Sequence, residues 1–186
     1  MHWKLSKNIS SASIRGDNCA GVRADEDVLS PAIRTKIQEM CEVGVDNFTA
    51  RSYMPGIIRH IVLFRYHADI TIQQREEIKF RFLALSTQAL RNGVPYIASI
   101  ETGAQTSGEG KDFGMEQAFV VTFFSAGDRN YYVGMPVVSN PSRCDPVHAA
   151  FRQFVAPYVA DVIVFDYELP VRQSGYIIEN QHFSCL

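Results

Sequence analysis

The chain reads as an α+β fold of element order β-α-β-β-α-β, the ferredoxin-like arrangement, on three observations. Two stretches have capped starts and helical apolar spacing. Four stretches have strand patterning. Those strands are apolar on both faces, so two helices on one side of the sheet leave a second apolar face bare.

The elements follow in order. IIRHIVLFRY (57–66) is the first strand, with Ile57, Ile61 and Leu63 on one face and Ile58, Val62 and Phe64 on the other. ITIQQREEIKFRFLALSTQALRNG (70–93) is a helix. Thr71 with Gln74 forms its capping box, Ile78, Phe82, Leu85 and Ala89 recur at helical spacing, and Gly93 ends it. YIASIETG (96–103) is a strand, followed by a polar loop, and QAFVVTFF (117–124) is the clearest strand. Ser125 to Val133 is a short helix. DPVHAAFRQFVAPYV (145–159) is a second, with Asp145 as cap and Pro146 at its first position. DVIVFDYEL (161–169) is the last strand, with Val162, Val164 and Asp166 opposing Ile163, Phe165 and Tyr167.

Before this domain, residues 1–55 are poor in aromatics and rich in Ser, Asn, Gly and Arg, and read as a flexible or loosely docked arm. One helix is expected within it, capped by Ser30, with Pro31 first and Ile33, Ile37 and Met40 as its stripe. The domain runs over residues 56–169, and residues 170–186 form a patternless tail.

Composition narrows the function classes. The chain has 186 residues, 46% hydrophobic and 20% charged, which is enough for a real core. Lys+Arg 18 against Asp+Glu 20 gives a net charge of −2, which argues against a nucleic-acid binder or a polybasic membrane anchor. No stretch approaches the ~18 apolar residues of a membrane span, and the N-terminus has no apolar run for a signal peptide. The expectation is a cytoplasmic protein with four free thiols at Cys19, Cys41, Cys144 and Cys185. None of these has metal-site or CxxC spacing, so no metal is expected. The TSGEGK loop (106–111) lacks the first Gly and the final Ser or Thr of a phosphate loop.

The second apolar face needs a cover, because monomers rarely expose more than a few hundred Å² of contiguous apolar surface. The same face of a second copy supplies it, giving a homodimer whose sheets close face to face into a barrel. The leading arm is the competing cover, with fewer apolar residues.

The pieces RHIVLFRY, ITIQQREEI, EGKDFGMEQAFVVTFFSAGDRNYYVG, DPVHAAFRQFVAPYV and VIVFDYE together resemble the stress-responsive dimeric α/β-barrel (Dabb) family over residues 56–168. The resemblance implies the same fold and dimer, and no cofactor. The family's plant polyketide cyclase closes a linear β-polyketide thioester by aldol condensation. Its Tyr–His pair matches Tyr132 and His148, and its first-strand pocket His matches His60. Its remaining pocket His is replaced here by Gln117. Its apolar wall carries over to Val62, Phe64, Ile78, Phe82, Leu83, Phe119, Val121, Val159, Val162 and Val164, which implies a dry cavity between sheet and helices. One departure stands out. MPVVSNPSRC (135–144) interrupts the family spacing between Tyr132 and His148, either bulging out harmlessly or pulling the pair apart.

Each residue has a plain and a chemical reading. His148, near a helix N-terminus, stays neutral and suits a base that removes a proton between two carbonyls; otherwise it braces the helix. Tyr132 donates its hydroxyl to a developing enolate, or only packs its ring. His60 lines a pocket or is a hydrogen-bonded core residue. Gln117 orients a carbonyl but cannot serve as an acid or base. Asp166 and Glu168, near a strand end, read as solvated. The functional expectations are a cofactor-free, polyketide-cyclase-like lyase or binder of a small apolar carbonyl ligand, a non-catalytic stress-responsive protein, or a cofactor-free monooxygenase.

Overall fold

A computed structural model describes residues 30–170. The leading residues 1–29 and the tail 171–186 lie outside it, and with them most of the unpatterned sequence. The expected first helix, α1, spans Pro31–Val43, with Ser30 Oγ accepting from the Ile33 amide. Gly44, at φ 79°, turns the chain into the single-turn α2, Val45–Phe48.

The domain then builds β1 (Pro55–Tyr66), α3 (Ile72–Gln88), a hairpin of β2 (Leu90–Arg91) and β3 (Val94–Pro95), β4 (Ile97–Ala104) and β5 (Gln117–Ser125). After these come α4 (Ala126–Val133), α5 (Pro146–Val155) and β6 (Val159–Glu168). The Thr71–Gln74 capping box is present at α3. The helix ends five residues before Gly93, however. Asn92 and Gly93 both take positive φ and form the hairpin turn that an Asn-Gly pair favours. At α5 the helical bonding stops at Val155, two residues before Pro157, whose ring nitrogen cannot donate.

The four long strands form one antiparallel sheet of order β4-β5-β1-β6, with β1 central. On the helix-covered face Ile58, Val62, Phe64, Phe119, Val121 and Phe123 pack against Ile78, Phe82, Leu85 and Phe151 as one core. The other face carries Ile57, Ile61, Leu63, Val120, Phe124, Ile163, Phe165 and Tyr167. No described element covers it, and Phe124 and Phe165 are 62% and 61% exposed.

Residues 44–54, assigned by composition to the arm, strap α4. Phe48 and Thr49 are buried. The Ala126 and Gly127 amides donate to the carbonyls of Met54 and Tyr53, and Asn130 Nδ2 donates to that of Phe48. Gly127 is required here, since a Cβ would stand 1.7 Å from the Ala50 oxygen. Arg91 ties the strap down from the hairpin, donating to Asp128 and to the Thr49 carbonyl, both at 2.7 Å. Cys144 is a free thiol, but Cys41 is disulfide-bonded, against the expectation of four free thiols.

Candidate active site

Tyr132 and His148 reach the site from α4 and α5. Ser125 Oγ caps α4 by accepting from the Asp128 amide at 3.0 Å. Tyr132, in the last turn of this helix, points into the core and is 1% exposed. Asp145 caps α5, its Oδ1 accepting from the amides of Val147 and His148, and its Oδ2 accepts from the Tyr96 hydroxyl. The cap and Pro146 place His148 on the first turn, as its sequence position implies.

The insert leaves the pair in contact. It forms a separate loop with a 3-10 turn, Pro141–Arg143, capped by Asn140, and with Val138 wholly buried. The Asp145 amide returns to the Tyr131 carbonyl at 3.0 Å, closing the loop at its base. The Tyr132 and His148 rings stack with centroids 3.7 Å apart and 16° between planes. His148 Nδ1 lies 2.6 Å from the Tyr132 carbonyl oxygen. A carbonyl only accepts, so Nδ1 carries the hydrogen and Nε2 keeps a lone pair. Burial holds the His148 pKa down near 3, helped by the charges of Arg152 and His60 and partly opposed by the Tyr132 bond. The ring is neutral at pH 7.

The Tyr132 hydroxyl is buried and has no hydrogen-bond partner. Burial, reinforced by the Asp145 charge, raises its pKa far above the ordinary phenol value, so it stays protonated as a donor.

His60 meets the edge of the Tyr132 ring at 5.7 Å and 76°. Its Nδ1–H donates to Asp166 Oδ1 at 2.7 Å, and Arg129 bonds the other carboxylate oxygen. Burial pushes the Asp166 carboxyl up, but the His60 bond and the nearby cation outweigh it and hold it below its ordinary value. Asp166 is therefore no solvated strand end. The register that sets it opposite His60 joins residues 106 apart, which local patterning does not reveal.

Gln117 lies away from this cluster. It pairs with Phe64 in the sheet, and its amide accepts from the Tyr66 hydroxyl at 2.7 Å and donates to Thr102 Oγ1 at 3.1 Å. Most of the expected cavity wall is packed core. Phe82 and Phe119 stack at 3.9 Å, Phe64 and Phe151 meet Phe82 edge-on, and Ile78, Val62 and Val121 are buried beside them. These side chains fill the space where the dry cavity was expected. Leu83 is half-buried and Val159 packs at the core margin. Val162 and Val164 share the face of Phe64 and Val62 yet are 37% and 55% exposed, because β6 is an edge strand beyond the helices. Among the described residues no group of three or more His, Cys, Asp or Glu is placed to hold a metal ion, and no helix is long and apolar enough to cross a membrane.

The family model described as "Stress responsive A/B Barrel Domain" matches residues 58–169, more than half of the chain. The chain belongs to the stress responsive A/B barrel (Dabb) family. No curated protein matches it. Among solved structures it is similar to a hydroxynitrile lyase from Passiflora edulis, at 22% identity and TM-score 0.49, over 62% of this chain and 95% of that one. It is also similar to a dimeric ferredoxin-like protein of unknown function from Jannaschia, at 17% identity and TM-score 0.46, over 61% and 100%. A third is a Dabb family protein with a ferredoxin-like fold from Mesorhizobium loti, at 20% identity and TM-score 0.43, over 62% and 98%. Within the Dabb match lie β1 from Ile58 onward, the later elements through β6 and every candidate residue, whereas the strap over residues 44–54 precedes it.

Proposed function

We propose that this Dabb domain dimerises through the open face of its sheet and uses Tyr132 and His148 as a cofactor-free lyase or cyclase site for a small apolar carbonyl compound. The observation that carries the chemistry is the sealed, unpartnered Tyr132 hydroxyl. Leaving such a donor unsatisfied costs roughly 1–3 kcal/mol, which a ligand carbonyl oxygen would recover. His148 stacks on that ring with Nε2 free to accept. In the reaction, Nε2 takes a proton from the carbon beside the carbonyl while Tyr132 steadies the enolate oxygen. The enolate carbon then attacks a second carbonyl of the substrate, and the imidazolium returns the proton to the new alkoxide. His60, oriented by Asp166, borders the same ring. Val162 and Val164 mark the uncovered flank by which a ligand would approach.

Two experiments test this. α-Hydrogen exchange of an apolar β-keto thioester in D2O, followed by proton NMR, is expected to be enzyme-dependent and to fall by about 100-fold in His148→Ala, the lower range for a general base. An unchanged rate removes the role. The dimer is tested by sedimentation: the wild type is expected as a dimer and Phe165→Asp as a monomer, while a monomeric wild type contradicts it.

The filled core supports a second reading, a non-catalytic stress protein whose Tyr132–His148 stack is packing. A chain that neither exchanges α-hydrogens nor binds any apolar carbonyl compound would establish that reading instead.

A further inference from the structure

Two parts of this chain depart from the Dabb pattern, the strap over residues 44–54 and the insert over 135–144, and they meet. Arg143 of the insert forms an ion pair with Asp46, Nε to Oδ1 at 2.6 Å. Two cavities open along the junction. The wider holds about 340 Å³ between Val43, Val45 and the Asn140–Arg143 turn. The narrower holds about 180 Å³, room for roughly six waters. Asp46 and Arg143 line both, so the two adjoin.

We infer that this junction is a binding site for a small organic anion, separate from the Tyr132–His148 cluster. The narrower cavity is lined by Arg91, Arg143, Tyr131, Ser142, Asn92 and Asp46, together with Thr49. Two guanidiniums, three hydroxyls and an amide line it with one carboxylate. The Ser142 and Thr49 hydroxyls already donate, to Asn140 Oδ1 and to the Val45 carbonyl, so the donors left over are those of Arg143, Tyr131 and Asn92. Asp46 is ion-paired with Arg143, and the terminal nitrogens of Arg143 have no hydrogen bond among the described residues. Arg91 is held rigidly, bonded to Asp128 and the Thr49 carbonyl and lying 4.3 Å over the Tyr131 ring. A fixed cation beside a second one with free donors suits a carboxylate or a phosphate monoester. The neighbouring cavity, with Val43 and Val45 in its lining, accepts the rest of such a molecule.

Calorimetric titration of the full chain with inorganic phosphate and with butyrate, each against chloride at equal ionic strength, tests this. At least one is expected to bind at least tenfold tighter than chloride. Arg143→Ala should weaken it at least tenfold and Asp46→Asn should tighten it. Phosphate alone would identify a phosphoryl group, and butyrate alone a carboxylate whose chain occupies the wider cavity. Arg143→Ala should leave α-hydrogen exchange unchanged, which keeps this site distinct from the first. If neither anion exceeds chloride, or if Arg143→Ala binds as the wild type does, the inference fails.

Discussion

At the junction of α4 and α5 the Asp145 carboxylate and the Tyr132 hydroxyl are both sealed from solvent, and their surroundings differ completely. Asp145 accepts from two amides and a hydroxyl, and so is fully engaged. Tyr132 has a ring on each side and nothing for its hydroxyl. Buried polar groups are nearly always satisfied, because an orphan loses the water it had and gains nothing. The first centre is therefore architecture, whereas the second is, on the proposed function, a donor kept for a ligand. The contrast has measurable consequences of very different size.

The largest effect belongs to Asp145. Asp145→Ala removes a helix cap and strands the buried Tyr96 hydroxyl, and should destabilise the protein by about 3 kcal/mol. Urea unfolding measures this; a loss under about 1 kcal/mol would place the two centres in the same class.

Asp145 also shows what was legible in the sequence. Its capping role needs only the local string Asp-Pro followed by apolar residues, and local strings likewise suffice for Ser30 before Pro31 and for Thr71 with Gln74. Strands β1, β5 and β6 were legible because their apolar runs are long and bounded. What failed was either a competing local signal or a distant contact. Gly93 looked like a helix stop, but Asn92 before it makes a hairpin turn, and the helix frays earlier. The strap was invisible because its bonds to α4 join residues such as Phe48 and Asn130, 82 apart. The pairing of Tyr132 with His148 came from resemblance, whereas the stack itself, the orphaned hydroxyl and the Asp166 bond to His60 exist only in three dimensions.

The next effect concerns acid stability. His148 has a folded pKa near 3 against an ordinary 6.5. Between these values the unfolded chain binds the extra proton, so the stabilisation is complete above about pH 6.5. It is lost as pH falls through the window, by up to about 1.4 kcal/mol per unit. Asp166, also lowered, adds a loss of the same sign below its ordinary 3.8. His148→Phe keeps a stacked ring and should flatten the slope between pH 6 and 4 in unfolding measured at each pH. An unaltered slope would mean that His148 charges freely in the fold and is not sealed.

The smallest effect on stability, and the most direct test, is thermal melting of Tyr132→Phe with and without an apolar aryl ketone. The variant alone should melt at or slightly above the wild-type temperature, since it deletes an unpaired hydroxyl. The ketone should raise the melting temperature of the wild type and leave the variant unmoved. A variant that melts several degrees lower, or a ketone shift that survives the substitution, would show that the hydroxyl already has its partner and that no ligand depends on it.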